Sequence, residues 1–230
     1  ILLGSGADGV VIAGTGSSVI LRARDGAIHQ AGGHEWVACD YGSAFWIGIQ
    51  GIREAYRNFE DGQSSALLNR FRELYGIEED DKFALVKKLR DLAVGDRDMK
   101  KDIARFAQYV CALASRGDEA AQNLVKLEAE DLADVTATAA RRHFDRAELL
   151  EGIRLVQCGS LLMESDFYRT SFETQLELRL LSDDAEKVKI DWERAATGAQ
   201  HAIALARELV HDPSRHLDLD LFFRPVVVQP

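Results

Sequence analysis

The sequence predicts an α/β architecture with an all-helical interruption, and three observations predict it. Aliphatic, strand-like runs occur near the start ("VVIA", "VIL") and return after residue 150 ("IRLVQC", "KVKIDW"). From about 62 to 150 strand signal is almost absent, and apolar residues recur at helical spacing instead. Helical patterns then alternate with the later strands, the order expected when helices cover a sheet. These boundaries assign 1–61 and 151–230 to the α/β part and 62–150 to a helical subdomain or insertion.

The elements follow in order. The stretch "GVVIAGTGSSVILRARDG" (9–26) reads as two short strands, Val10 to Ala13 and Val19 to Leu21, joined by a tight turn. Gly14 and Gly16 give that turn backbone freedom, and Thr15, Ser17 and Ser18 give it hydroxyls. A glycine-rich stretch, "QAGGHEWVACDYGSA", leads into a helix capped by Ser43. Phe45, Ile49, Ile52, Tyr56 and Phe59 fall on one stripe of that helix. The helical block contains "SALLNRFRELYG", "DKFALVKKLRDLA", "KKDIARFAQYVCALASRGD" and "EAAQNLVKLEAEDLADVTATAARRHF". Ile103, Phe106, Val110 and Leu113 mark the buried face of the third of these, and Gly117 stops it. "IRLVQCGS" is a continuous apolar run ending in Gly159-Ser160, the pattern of a central strand entering a ligand loop. "DFYRTSFETQLELRLL" is helical through Phe172, Leu176 and Leu180, and "KVKIDW" alternates Val188, Ile190 and Trp192 as a half-buried strand does. "AATGAQHAIALARELV" reads as a small-residue helix ended by Asp212-Pro213.

Composition narrows the function. The chain has 230 residues, 28 Lys and Arg against 38 Asp and Glu, and a net charge of -10. That balance argues against a nucleic-acid partner, whose phosphates require clustered cations. "RRHFDR" (141–146) is the densest basic run and reads as a solvated helix face. Cys39, Cys111 and Cys158 are odd in number and far apart, so neither a disulfide framework nor a zinc site is suggested and a reducing cytoplasm is expected. No apolar run approaches the ~20 residues that span a bilayer, so no membrane partner is expected. A Walker-type loop and a nucleophile-elbow serine are both absent by spelling.

Two stretches carry chemistry. The turn around Gly14 and Gly16 is either a plain hairpin or a cradle for phosphate or sugar oxygens. Downstream, Gly32, Gly33 and Gly42 surround a single carboxylate, Asp40, just ahead of a helix start. Asp40 reads as an acceptor for sugar hydroxyls, as a general base, or as a charge at a helix terminus. His29, His34 and Glu35 lack metal-ligand spacing, and no metal site is expected.

Taken together, these stretches resemble the sugar-kinase and actin-like ATPase superfamily, in the group that includes N-acetylglucosamine kinase and the BadF/BadG/BcrA/BcrD ATPases. "GVVIAGTGSS" is similar to that group's second phosphate motif, and "AGGHEWVACDYGSAFWIG" aligns without a gap to its A-G-G-W-G-x-x-x-G-D-E-G-S-x-Y-W-I-G signature. "FAQYVCALASRGDEAAQNLVKLEAEDLA" resembles the helices around its G-D-x-x-A, and "LVQCGSLLMES" its adenosine motif. The likeness runs to about residue 206. It implies a ribonuclease-H-like α/β core and a chain that corresponds to the C-terminal half of such a kinase, with ATP and Mg²⁺ as cofactors. Thr15 and Gly16 would face the ATP phosphates, and Gly117, Gly159 and Ser160 would border the adenosine. Ser17, Ser18, Gly33, His34 and Asp40 would line the site of a small-molecule sugar. His34 stands where the pattern has Trp, Glu35 and Cys39 where it has Gly, and Tyr41 where it has Glu, so the resemblance leaves the sugar open.

The resemblance also implies that a D-x-G-x-T phosphate loop, the metal-associated acid and the catalytic carboxylate belong to an N-terminal half not found in this sequence. The expected function is thus part of an ATP-dependent kinase acting on an amino sugar such as N-acetylglucosamine, inactive without that half. The alternatives are a BadF-type ATPase or regulatory nucleotide-binding module without sugar kinase activity, and a binding-only remnant. A homodimer is the assembly expectation, because two-fold dimers are the commonest oligomers.

Overall fold

The computed structural model describes residues 6–78, 81–94, 99–180 and 188–195. The expected helix after residue 195 and everything to residue 230 lie outside the described residues. Strands β1 (Gly9–Ala13), β2 (Ser17–Arg22) and β3 (Ile28–Gly32) come first. Six helices follow: α1 (Ala44–Glu60), α2 (Ala66–Tyr75), α3 (Lys82–Val94), α4 (Met99–Ser115), α5 (Glu119–His143) and α6 (Arg146–Glu151). The described chain then runs through β4 (Ile153–Cys158), α7 (Ser160–Glu164), α8 (Asp166–Leu180) and β5 (Ile190–Ala195).

The strands form one five-stranded mixed sheet in the order β3-β2-β1-β4-β5. β1 pairs antiparallel with β2 and parallel with β4, β2 pairs antiparallel with β3, and β4 pairs parallel with β5. The interior place of β4, between β1 and β5 and with Leu155 and Val156 both buried, agrees with its continuous apolar run. Alternation sorts the side chains: Val11, Ala13, Val19, Leu21 and Leu155 join the main core beneath the helices. Ala7, Val10, Val156 and Ala195 form a second cluster.

Within the described residues each helix read from the sequence is present, with cap chemistry to match. Ser43 and Ser65 accept the amides of Trp46 and Leu68 as N-caps, and Gly76 ends α2 in the left-handed region. The apolar stripe of α1 differs from its periodicity. Phe45 and Ile52 are buried, but so are Ile47, Gly48, Gly51 and Ala55, whereas Ile49, Tyr56 and Phe59 are half-buried. The reason is the close approach of α4: a Cβ at Gly48 would lie 2.2 Å from the Ile103 carbonyl oxygen, and one at Gly51 would lie 2.6 Å from Val110. Small residues thus turn inward where two helices nearly touch, a signal that a hydrophobic stripe does not carry.

Three elements were not legible: β3, the six-residue α6 and α7. β3, "IHQAG", has little aliphatic character because it is an edge strand, half-buried or exposed along its length. The five-residue α7 begins directly at Ser160. Its approach to the sheet depends on Gly159, at φ +97°, where a Cβ would lie 2.3 Å from the Ala13 carbonyl oxygen. Gly159→Ala is therefore expected to cost about 2–4 kcal/mol, adding left-handed strain to an overpacked contact, read as a lower midpoint in urea unfolding.

Candidate functional site

The turn between β1 and β2 is laid across the start of α1. The Gly14 amide donates to the Gly16 carbonyl (2.9 Å), and the carbonyls of Gly14 and Thr15 accept from the amides of Ala44 (2.8 Å) and Phe45 (3.3 Å). With Ser43 taking the Trp46 amide (3.4 Å), the first three amides of α1 are used inside the protein. The helix N-terminus therefore stabilises the turn instead of presenting itself to an anion.

Asp40 lies against the same turn. It is only 3% exposed and sits at φ +62°. Its Oδ1 accepts the Ser17 amide (3.2 Å), and its Oδ2 accepts from the Lys100 ammonium (2.6 Å). A Cβ on Gly16 would stand 2.9 Å from Oδ1, so the missing side chain is what lets the carboxylate reach the turn. Lys100 also bridges Glu35 (3.4 Å). Partial burial opposes the Lys100 charge, but the hydrogen bond and charge of Asp40 outweigh it and hold the ammonium above its ordinary pKa. Ser17 is spent internally, since its hydroxyl donates to the Tyr41 carbonyl (2.6 Å).

On the other side of the turn opens a cleft of about 540 Å³ between α4 and the β4–α7 junction. Thr15 and Ser160 line it, together with Lys101, Arg105, Cys111 and Ser165. Two cations of α4 thus border the same cleft as the hydroxyls of Thr15 and Ser160 and the carboxylate of Glu164, in a chain that is acidic overall. Burial pushes the Cys111 thiol up to about 11, which leaves it protonated and unreactive.

The remaining candidates are dispersed. Gly117, at φ +91°, closes the α4 end two residues past Ser115 and does not line the cleft. Gly159 stands behind Ser160, packed on Ala13. Gly33 and His34 are exposed on the loop after β3, outside the cleft. Ser18 lies beneath Gly33, and its Oγ is buried without a hydrogen-bond partner among the described residues.

Sequence reasoning missed Lys100, Lys101 and Arg105, as well as two buried groups behind Asp40. Glu128 Oε2 accepts the Gly42 amide (3.2 Å), and the Tyr168 hydroxyl donates to the Gly42 carbonyl (2.5 Å). Burial, then the charge of Asp131, pushes Glu128 up to about 7 against the opposing hydrogen bonds of Gly42 and Gln50. Among the described residues no group of three His, Cys, Asp or Glu side chains is placed to hold a metal ion, and no helix is long and apolar enough to cross a membrane.

Comparison with known structures gives the fold its relatives. A candidate N-acetylglucosamine kinase from Chromobacterium violaceum matches with 21% identity and a TM-score of 0.61, over 89% of this chain and 61% of that one. A second, from Porphyromonas gingivalis, matches with 14% identity and a TM-score of 0.60, over 90% and 63%. A ROK family glucokinase from Streptomyces griseus, solved with glucose and AMPPNP, matches with 14% identity and a TM-score of 0.53, over 89% and 61%. At such identities the likeness speaks for the fold alone, which this chain shares with these kinases, and the chain spans about three fifths of each of these structures. No curated protein matches the sequence. The profile of one family, however, matches residues 4–199, and the chain belongs to the BadF/BadG/BcrA/BcrD ATPase family.

Proposed function

We propose that this chain carries the nucleotide cleft and one sugar-binding wall of an ATP-dependent carbohydrate kinase, with an amino sugar such as N-acetylglucosamine as acceptor. The observation that carries the reading is the single turn that shows Thr15 to the cleft and, one residue on, seats Gly16 against the Asp40 carboxylate. Phosphoryl transfer needs a nucleotide and an acceptor hydroxyl held close together, with negative charge neutralised around the transferred group. In this reading Thr15, Gly16 and Ser160 hold ATP, and Lys101 and Arg105 neutralise its phosphates. Gly159, packed behind Ser160, shapes the adenosine end, and Gly117 is assigned to it from beyond the residues that line the cleft. Asp40, its Oδ1 held by the Ser17 amide, forms the centre of the sugar wall, to which Ser18, Gly33 and His34 are also assigned. The cleft fits a nucleotide in its hydroxyls and cations, and Mg²⁺ would arrive on the phosphates, needing few protein ligands of its own. Removal of the acceptor proton is assigned to a carboxylate outside the described residues, and Asp40, oriented by Ser17 and Lys100, keeps acceptor capacity for a sugar hydroxyl. The helical segment 62–150 is proposed as an insertion in the α/β core. The three free cysteines accord with a cytoplasmic location, and a homodimer remains part of the proposal.

The engagement of Asp40 by Lys100 favours one second reading, a BadF-type ATPase module that takes nucleotide without sugar. Titration calorimetry of the full chain with AMPPNP and with N-acetylglucosamine separates the two. The kinase reading expects saturable sugar binding that Asp40→Asn weakens by about tenfold to a hundredfold, the worth of a hydrogen bond to a charged group. Nucleotide binding indifferent to sugars supports the second reading, and absence of nucleotide binding overturns both.

A further inference from the structure

The segment that carries Asp40 leaves ordinary backbone space twice in three residues, at Asp40 (φ +62°) and at Gly42 (φ +75°). For a residue with a side chain, as at Asp40, such a conformation persists only where the surroundings dictate it. The surroundings here are two helices distant in sequence. Glu128 of α5 takes the Gly42 amide, and Tyr168 of α8 holds the Gly42 carbonyl, across 86 and 126 residues. Both side chains are buried, at 3% and 0% exposure. The peptide has no slack, because a Cβ on Gly42 would meet the Glu128 carbonyl oxygen at 2.5 Å, Leu132 Cβ at 2.6 Å and the Tyr168 hydroxyl at 2.9 Å.

We propose that Glu128 and Tyr168 are positioning residues which grip Gly42 by both of its backbone polar groups, and so fix the Asp40 carboxylate against the turn. This rests on the assignment of Asp40 to the sugar wall. Buried peptide groups usually find partners in secondary structure. Here two side chains from separate helices serve one loop residue, which couples the packing of α5 and α8 to the candidate site. Glu128 is also faced by Asp131 on its own helix, by Gln50 of α1 and by Tyr168 of α8. Cys111 of α4 faces Tyr168, and Arg179 of α8 reaches Asp131. A carboxylate is a costly choice for a place where an amide side chain would accept the same hydrogen bond.

The test measures amide hydrogen exchange at residues 40–45 together with N-acetylglucosamine and AMPPNP binding, in the full chain. Glu128→Ala is expected to speed exchange at Gly42, and Tyr168→Phe at Ser43, whose amide shares a peptide with the Gly42 carbonyl, each by about tenfold, the worth of one hydrogen bond; both are expected to weaken sugar binding by a similar factor while AMPPNP binding holds. Glu128→Gln keeps the acceptor and is expected to restore both exchange and sugar affinity. Should Glu128→Ala fail to fold, Tyr168→Phe and Glu128→Gln carry the comparison. Unchanged exchange at Ser43 in Tyr168→Phe, or equal losses of sugar and nucleotide binding, overturns the proposal. If the wild-type chain binds no sugar, the Asp40 assignment fails while the exchange measurement still decides the grip on Gly42.

Discussion

Gly42→Ala is expected to destabilise the fold by about 2–5 kcal/mol, the sum of left-handed backbone strain and an overpacked site. The obstructing atoms are the Glu128 carbonyl oxygen and Leu132 Cβ, part of the backbone and of the stem of α5, so no rotamer change relieves the contact. α5 is 25 residues long and packs on α8 as well as α1, so moving it displaces much of the core. Gly76→Ala is the control: its φ is +63°, but nothing lies within 4 Å of the added methyl, and only the strain is expected. Urea unfolding of the two variants reads the difference. If Gly42→Ala costs no more than Gly76→Ala, the Gly42 backbone has room that the geometry denies.

Glu128→Gln is expected to change the pH dependence of stability more than its value at any one acidic pH. Glu128 rises from its ordinary value of 4.5 to about 7, chiefly through burial and next through Asp131. Between those values the folded chain keeps a proton that the unfolded chain has released. The contribution of this group is thus fully present below about 4.5 and is lost as pH rises through about 7. At pH 8 the loss amounts to about 3 kcal/mol, because each tenfold gain in proton affinity on folding is worth about 1.4 kcal/mol. Glutamine carries no such dependence, so the variant gains on the wild type between about pH 5 and pH 8. Parallel stability curves over that range would show that the Glu128 carboxyl ionises as freely in the fold as in the unfolded chain.

Much of the architecture is local and was legible. Aliphatic runs gave β1, β2 and β4, helical periodicity gave the helices from α1 to α5 and α8, and Ser43 declared its cap. β3 escaped because a strand at the edge of the described sheet needs no apolar pattern, and α6 and α7 because six and five residues cannot show a period. The turn residues Thr15 and Gly16 and the carboxylate Asp40 could likewise be singled out, since glycine and hydroxyl spacing is written along the chain.

What the chain alone determined was where most helices and strands lie and where the backbone turns, because those preferences act between neighbours three or four positions apart, whereas the buried face of α1 was set by the approach of α4. The tertiary structure alone decided that Lys100 engages Asp40, that α4 lends cations to the cleft, and that Glu128 and Tyr168 hold Gly42. Those contacts join residues 60 to 126 positions apart, and they exist only once helix packing has chosen which faces meet.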